Sequence, residues 1–291
     1  MVSTLFLSCS KDDNQQIVTT IDNLTATVEY NQISGVDSNL LSLDIYYFSN
    51  LDTQKPVVIY VHGGGWSIGD KSNQIENKVN LFQSLNYIFV SINYRLSPFP
   101  YELNNPNRIM YPIHNNDVAD AIKWVYDNIH EYGGNNNKIA LLGHSAGAHL
   151  VALTGTNNTF LNNVGLSINN VKGIAIIDTE GYNVVNKVQE NNNLYINSFG
   201  TDINLNTQAS PIFNIRNSIS YPKFFVAKRG NAERLAIADD FISALEESNV
   251  SVSQIHGSIY DHTGINNAIG ELNESLITNP LIEFLEECFE E

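Results

Sequence analysis

The sequence predicts an α/β fold, one mostly parallel sheet covered by helices on both faces. Three observations predict it. Short, continuous apolar runs rich in Val, Ile and Phe recur along the chain, as strands buried on both faces require. From the third run onward, stretches with helical character alternate with them, the order expected of repeated strand-helix units. One run, residues 139–142, passes through Gly143-His144-Ser145-Ala146-Gly147 straight into a helix-favouring stretch, which is the strand-turn-helix setting of a nucleophile elbow.

Taken in order, the first residues read as processing sequence rather than fold. Residues 1–8 form a small apolar patch ending in Phe6-Leu7-Ser8, and Cys9 is followed by the polar Ser10-Lys11-Asp12-Asp13-Asn14-Gln15-Gln16. This stretch resembles the cleavage box and acidic tether of a bacterial lipoprotein. On that reading residues 1–20 are a signal remnant and tether, and a lipidated Cys9 attaches the chain to a membrane of the cell envelope. An ordinary cysteine in a polar tail, with a cytoplasmic protein behind it, is the alternative. Residues 21–291 form one domain, because no linker and no internal repeat divides them.

Within that domain, residues 25–30 and 43–48 are expected as two early strands joined by a turn near Gly35. Further strands are expected over residues 57–61, 87–92, 139–142, 171–177, 224–227 and 250–252. Helices are expected over residues 75–85, 118–129, 146–153 and 232–247. A last helix closes the chain at residues 280–285, with Asn279 as its N-cap and Pro280 at its first position.

Composition sets the outer bounds. The 291 residues are 43% hydrophobic and 10% aromatic, ample for a sizeable core. Fifteen Lys and Arg against 31 Asp and Glu give a net charge of −16, whose field repels nucleic acid and anionic membrane surfaces and keeps the protein in solution. The two cysteines, Cys9 and Cys288, lie at opposite ends of the chain and imply neither a disulfide framework nor a cysteine-rich metal site. No stretch is long and apolar enough to span a bilayer.

The elbow concentrates the chemistry. A serine lifted off a sheet on so tight a turn leaves no room for side chains two positions away, so Gly143 and Gly147 flank Ser145. Its hydroxyl stands at a helix start, where free N–H groups and the helix dipole favour developing negative charge. A second motif, His62-Gly63-Gly64-Gly65-Trp66, directly follows the strand at residues 57–61. Backbone N–H groups of a glycine run can approach an oxyanion closely, so Gly63 and Gly64, with Ala146, are the candidate oxyanion hole. Neither phosphate-cradling glycine pattern, Gly-x-x-x-x-Gly-Lys-Ser/Thr or Gly-x-Gly-x-x-Gly, is present.

Together His62 to Trp66 with Gly69-Asp70-Lys71, then Asn93-Tyr94-Arg95-Leu96, Asp117-Val118-Ala119 and Gly143 to Leu150 resemble the α/β-hydrolase serine esterases. The resemblance is to the branch of arylformamidase-like and feruloyl or acetyl esterase-like enzymes, and it runs from about residue 42 to the C-terminus. It implies an eight-stranded, mostly parallel sheet and a Ser-His-acid triad acting on a small ester, with neither metal nor organic cofactor. A formamide amidase is the alternative within the family, and a binding lipoprotein that keeps the fold without catalysis is the alternative outside it.

Nucleophile, acid and histidine are expected in that chain order. Of seven histidines, His262 alone is late and on a loop after the last strand, in His262-Thr263-Gly264-Ile265-Asn266, which resembles the family's His-x-x-Ile-Asn segment. His256 is held in reserve. Family members carry Gly-x-x-Asp after the seventh strand, and Gly230-Asn231-Ala232-Glu233 puts Glu233 at that offset as the expected acid. Asp178, ending the strand at residues 171–177, is the rival, and Asp261 comes third. Asp117 and Tyr94-Arg95 read as a cap or brace for the glycine loop. Trp66, His144 and Tyr111 are the candidate pocket residues. Residues 97–112 are expected at its rim, and residues 181–202 where this fold inserts a cap.

Overall fold

The computed structural model describes residues 21–51 and 54–290, so the expectations for residues 1–20, Cys9 included, lie outside the described residues. The chain runs β1 (Asn23–Glu29), β2 (Ser42–Phe48), β3 (Lys55–Val61), α1 (Glu76–Ser84), β4 (Ile88–Ile92) and α2 (Ile113–Asn128). Next come β5 (Gly134–His144), α3 (Ala146–Thr156), α4 (Thr159–Asn163) and β6 (Gly173–Ile177). Four short helices follow, α5 (Val184–Gln189), α6 (Asn193–Phe199), α7 (Ile203–Gln208) and α8 (Pro211–Asn214). The chain closes with β7 (Lys223–Lys228), α9 (Ala232–Glu247), β8 (Val252–His256), α10 (Gly264–Ala268) and α11 (Thr278–Phe289).

The strands form one eight-stranded sheet in the order β1-β2-β4-β3-β5-β6-β7-β8. β1 and β2 pair antiparallel, as do β2 and β4, while every pair from β4 through β8 is parallel. Side-chain alternation divides the core between two faces. Val57, Ile59 and Val61 of β3 point to the side packed by Val118 of α2, Leu150 of α3 and Phe241 of α9. Val58 and Tyr60 point to the side packed by Phe82 of α1 and by Phe284 of α11. Burial on both faces explains the apolar runs of β3, β4, β6 and β7 and of residues 139–142 in β5, and the outermost strands β1 and β8 remain partly open.

Parallel strands all end on the same edge, and that edge carries the chemistry. The carboxyl end of β3 leads into the glycine loop, that of β5 into Ser145, that of β6 into Asp178, and the turn after β8 leads to His262. Two helix starts differ from expectation. α2 begins at Ile113 because His114, Asn115 and Asp117 are all buried, with Asn115 donating to Leu150 O at 3.1 Å, so polar residues serve packing there. α11 begins at Thr278 with Ile277 before it, so Asn279 lies inside the first turn and caps nothing.

Candidate active site

Ser145 holds φ 57° and ψ −116° between β5 and α3, a conformation that only tight surroundings sustain. Its N–H donates to Ile177 O on the neighbouring β6 at 3.0 Å, which fixes the turn to the sheet. The flanking glycines sit where side chains have no space. A Cβ on Gly147 would come within 2.0 Å of Val61 O, and one on Gly143 within 2.4 Å of Gly147 O.

His262 and Asp178 complete a hydrogen-bonded line from the serine. Ser145 Oγ and His262 Nε2 lie 2.8 Å apart, and His262 Nδ1 and Asp178 Oδ2 lie 2.6 Å apart. An ionised carboxylate only accepts, so Nδ1 carries the proton and Nε2 is free to accept from the serine hydroxyl. Burial works to raise the Asp178 carboxyl, but the hydrogen bond from His262 and the charge of Arg234 outweigh it and hold the group below its ordinary value. Two guanidiniums also support the carboxylate. Arg229 Nε donates to Asp178 Oδ2, and Arg234 Nε donates to Oδ1 at 2.9 Å.

Here the expectation for the acid is corrected. Glu233 lies exposed in the first turn of α9, where a carboxylate complements the free N–H groups of the helix end. Its neighbour Arg234, one residue on, is what α9 presents to the site. Asp178 instead leaves β6 in a left-handed conformation, φ 50°, with its N–H bonded to Ala227 O at 2.9 Å. Asp261 bonds the N–H of Gly264 at 2.6 Å and shapes its own turn, and His256 is exposed at the end of β8.

The glycine loop stands opposite the elbow. A Cβ on Gly63 would lie 3.0 Å from Ser145 Cβ, so this backbone passes Ser145 with no room for a side chain between them. At Gly64, φ is +107° and a Cβ would fall 1.9 Å from Ile68 O, because the N–H groups of Ser67 and Ile68 both fold back onto Gly64 O at 3.1 Å. Two braces hold the loop. His62 stacks on Tyr94 at 4.6 Å between ring centres, and the Tyr94 hydroxyl donates to His62 O at 3.1 Å. Asp70 accepts from Asn93 Nδ2 at 2.9 Å and from Ser72 Oγ at 2.7 Å. Asp117 is a brace and no cap, since it lies inside α2 and takes Arg95 through both carboxylate oxygens and the Arg95 N–H.

The three expected pocket residues separate. His144 lines a cavity of about 490 Å³ together with the glycine loop, Ser145 and His262. Trp66 is 2% exposed and packs edge-on against His149, Tyr195 and Phe199, while contributing to the wall of a second cavity of about 360 Å³ that also reaches Ser145. Tyr111 lines neither cavity. It is buried against Phe160 and Phe199, so an aromatic expected at the rim belongs to the core. Residues 181–202 do form part of the cover, with Leu194 of α6 facing both cavities. Arg229 and Arg234 were missed by the sequence reading, and the available signal was position, since Arg229 directly follows the carboxyl end of β7. Among the described residues no group of three or more His, Cys, Asp or Glu side chains is gathered to hold a metal ion.

Known proteins resemble this chain in sequence and in fold. Esterase LipQ of Mycobacterium tuberculosis is 44% identical over 98 residues, which is 34% of this chain and 21% of LipQ. The chain thus spans about a fifth of the length of the curated relatives it matches. Among solved structures, esterase B of Lactobacillus rhamnosis superposes with a TM-score of 0.74 at 19% identity, over 93% of this chain and 86% of that one. A truncated carbohydrate esterase from gut microbiota gives a TM-score of 0.71 at 16% identity, over 94% and 97% of the two chains. The BD-FAE family model matches residues 43–235, more than half the chain and the stretch that holds the glycine loop, the elbow and Asp178. This chain therefore belongs to the BD-FAE family of α/β-hydrolases.

Proposed function

We propose that this protein is a serine carboxylesterase that hydrolyses a small ester by two acyl transfers. The observation that carries the reading is the unbroken line of hydrogen bonds Ser145–His262–Asp178 at the mouth of a cavity walled by the glycine loop. His262 takes the serine proton as Ser145 Oγ attacks the ester carbonyl, Asp178 holds the ring and faces the charge it gains, and the alcohol leaves with that proton. Water, activated by the same histidine, then releases the acid and restores the serine. The N–H groups of Gly63, Gly64 and Ala146 are assigned to the oxyanion, and the absence of room for a side chain between Gly63 and Ser145, where a Cβ on Gly63 would lie 3.0 Å from Ser145 Cβ, supports that assignment.

The names of the curated relatives, esterases LipQ and LipC among them, favour an ester over a formamide. Against the binding-module alternative, the contact between Asp178 and His262 supplies an acid for a triad. We also propose that the chain is tethered in the cell envelope through a lipidated Cys9, supported by Phe6-Leu7-Ser8-Cys9 and its polar successor. Loss of palmitate labelling in Cys9→Ser would support the tether, and labelling unchanged by that substitution would dismiss it.

Hydrolysis of short-chain nitrophenyl esters by the purified protein, beside Ser145→Ala, tests the activity. A serine-directed phosphonate should label Ser145, with the adduct mapped by mass. Turnover lost in a folded Ser145→Ala is expected, whereas equal turnover in the variant would refute the assignment.

A further inference from the structure

The two cavities meet at Ser145 and form one cleft with two unlike arms. Both are bounded by Gly65, Ser145, Leu194 and His262. The arm beside the glycine loop is lined by Tyr60, Ile68, Asn73 and Gln74 among others, and no Arg, Lys, Asp or Glu lines it. The opposite arm contains Arg229, Arg234 and Glu180, with Thr179 and Asn192 beside them. Charge is thus confined to one side of the nucleophile.

The two guanidiniums in that arm differ in how they are used. Arg234 spends all three nitrogens within the protein, Nε and Nη2 on Asp178 and Nη1 on Glu180. Arg229 spends only Nε, on Asp178. Among the described residues no acceptor meets its Nη1 or Nη2, although the side chain is only 16% exposed and lies on the cavity wall. A largely desolvated guanidinium with a free fork beside a nucleophile is the residue type that takes a carboxylate through two parallel hydrogen bonds. Neutral donors stand next to it. The Thr179 hydroxyl accepts from the Gly181 N–H and keeps its own proton to give, and Asn192 uses its oxygen on the Leu194 N–H, which leaves its amide N–H groups. Glu180 would oppose an anion, but Arg234 and Lys187 already pair with it.

We propose that this arm is an anion subsite in which Arg229 binds a carboxylate carried by the ester substrate, so that the preferred substrates are esters with a free acid group a few bonds from the scissile carbonyl. The proposal rests on the esterase reading above. It makes Arg229 a specificity-determining residue through its Nη1 and Nη2, while its Nε, like Arg234, supports Asp178, so Arg229→Gln is read by the ratio within a pair and not by the rate on either ester.

Matched pairs of substrates test it, with hydrolysis followed by pH-stat. Monoethyl glutarate against ethyl pentanoate places the carboxylate on the acyl side, and 3-acetoxypropanoate against propyl acetate places it on the alcohol side. The charged member of at least one pair should be preferred tenfold or more in kcat/KM, mainly through KM, and the favoured pair says which half of the substrate enters the arm. In Arg229→Gln that preference should collapse. Arg234→Gln should slow both members of a pair and leave their ratio in place, since Arg229 keeps its fork. Competitive inhibition of ethyl pentanoate hydrolysis by glutarate, but not by glutaramide, reads the subsite in the unaltered protein should a variant fail to fold. Equal or poorer use of the charged member in both pairs would overturn the subsite while leaving the esterase standing, as would a ratio unmoved in folded Arg229→Gln. No turnover of any of the four, with Ser145 unlabelled by phosphonate, would instead remove the esterase reading and this proposal with it.

Discussion

His144, the residue before Ser145, holds His262 by its backbone: His144 Nε2 lies 2.8 Å from His262 O, and the two rings are 4.7 Å apart. Burial, with the charge His262 can carry beside it, pushes His144 down to about 3. The ring is therefore neutral at working pH, and because the carbonyl only accepts, its single proton sits on Nε2. His144→Phe keeps a ring of similar size and loses the bond. A lost hydrogen bond of this kind is worth about 1 kcal/mol, so kcat should fall about fivefold with the melting temperature little changed. Steady-state kinetics beside a thermal melt would check this, and an unchanged kcat would mean that the loop is held by other contacts.

The two candidate acids should separate widely. Asp178→Asn removes the charge that faces the imidazolium and offers an amide that can stabilise the wrong tautomer, which in a Ser-His-Asp triad costs about 10⁴-fold in kcat. Glu233→Gln alters an exposed first-turn residue and should stay within about twofold. If Glu233→Gln proved the more damaging of the two, the acid would have to be reassigned.

That pair also marks where the sequence stops being legible. The inner strands could be read because each holds a buried run of β-favouring residues, whereas the open edge strand β8, expected over 250–252, occupies Val252–His256; α9 was expected over the 232–247 it occupies. The meeting of Ser145 and His262 was legible because local motif and chain order together restrict them. The acid was not, because Asp178 and Glu233 both follow a strand on the same edge. What decides between them is the left-handed turn at Asp178 and its bond to Ala227, a contact with a strand about fifty residues further on. Tyr111 was misread for a related reason, since an aromatic in a Pro- and Asn-rich segment gives no sign that Phe160 and Phe199 will close over it.

Close approach at the elbow makes a stability prediction. In Gly147→Ala the new Cβ would meet Val61 O at 2.0 Å and His62 O at 2.6 Å, both backbone atoms at the root of the glycine loop. Neither can move alone, because His62 is stacked on Tyr94 and β3 is paired on both sides. Overpacking of this kind costs about 1–3 kcal/mol, and here the displaced backbone leads directly into the glycine loop. Urea unfolding should show an earlier midpoint, and phosphonate labelling of Ser145 should slow in the fraction that remains folded. A variant as stable and as reactive as the parent would mean that β3 and α3 can separate more freely than their contact suggests.

Asp70 should give the loop a pH dependence. Burial acts to raise its carboxyl, but hydrogen bonds from Ser72, Asn93 and Asn39 outweigh it and hold the group well below the usual carboxylate range. The folded protein therefore keeps this carboxylate ionised at pH values where the unfolded chain has begun to bind a proton. Below the ordinary aspartate value the unfolded state holds more protons, so stability falls with pH in that window. The contribution is complete above about pH 4 and fades as pH drops toward the depressed folded value. Because Asp70 is only half-buried and water screens its interactions, the contribution is on the order of 1 kcal/mol. Asp70→Asn removes the titration and part of the bonding, so the gap in urea midpoint between the parent and Asp70→Asn should be full at pH 6 and close as pH falls below 4. The same substitution loosens Asn93, which accepts the Lys71 N–H at 2.6 Å and donates to Asn39 O at 2.9 Å, and so the return path of the glycine loop. Activity measured at pH 7 should therefore fall together with stability. A midpoint gap that widened toward acid would reverse the sign and exclude Asp70 as the carboxylate that holds the loop.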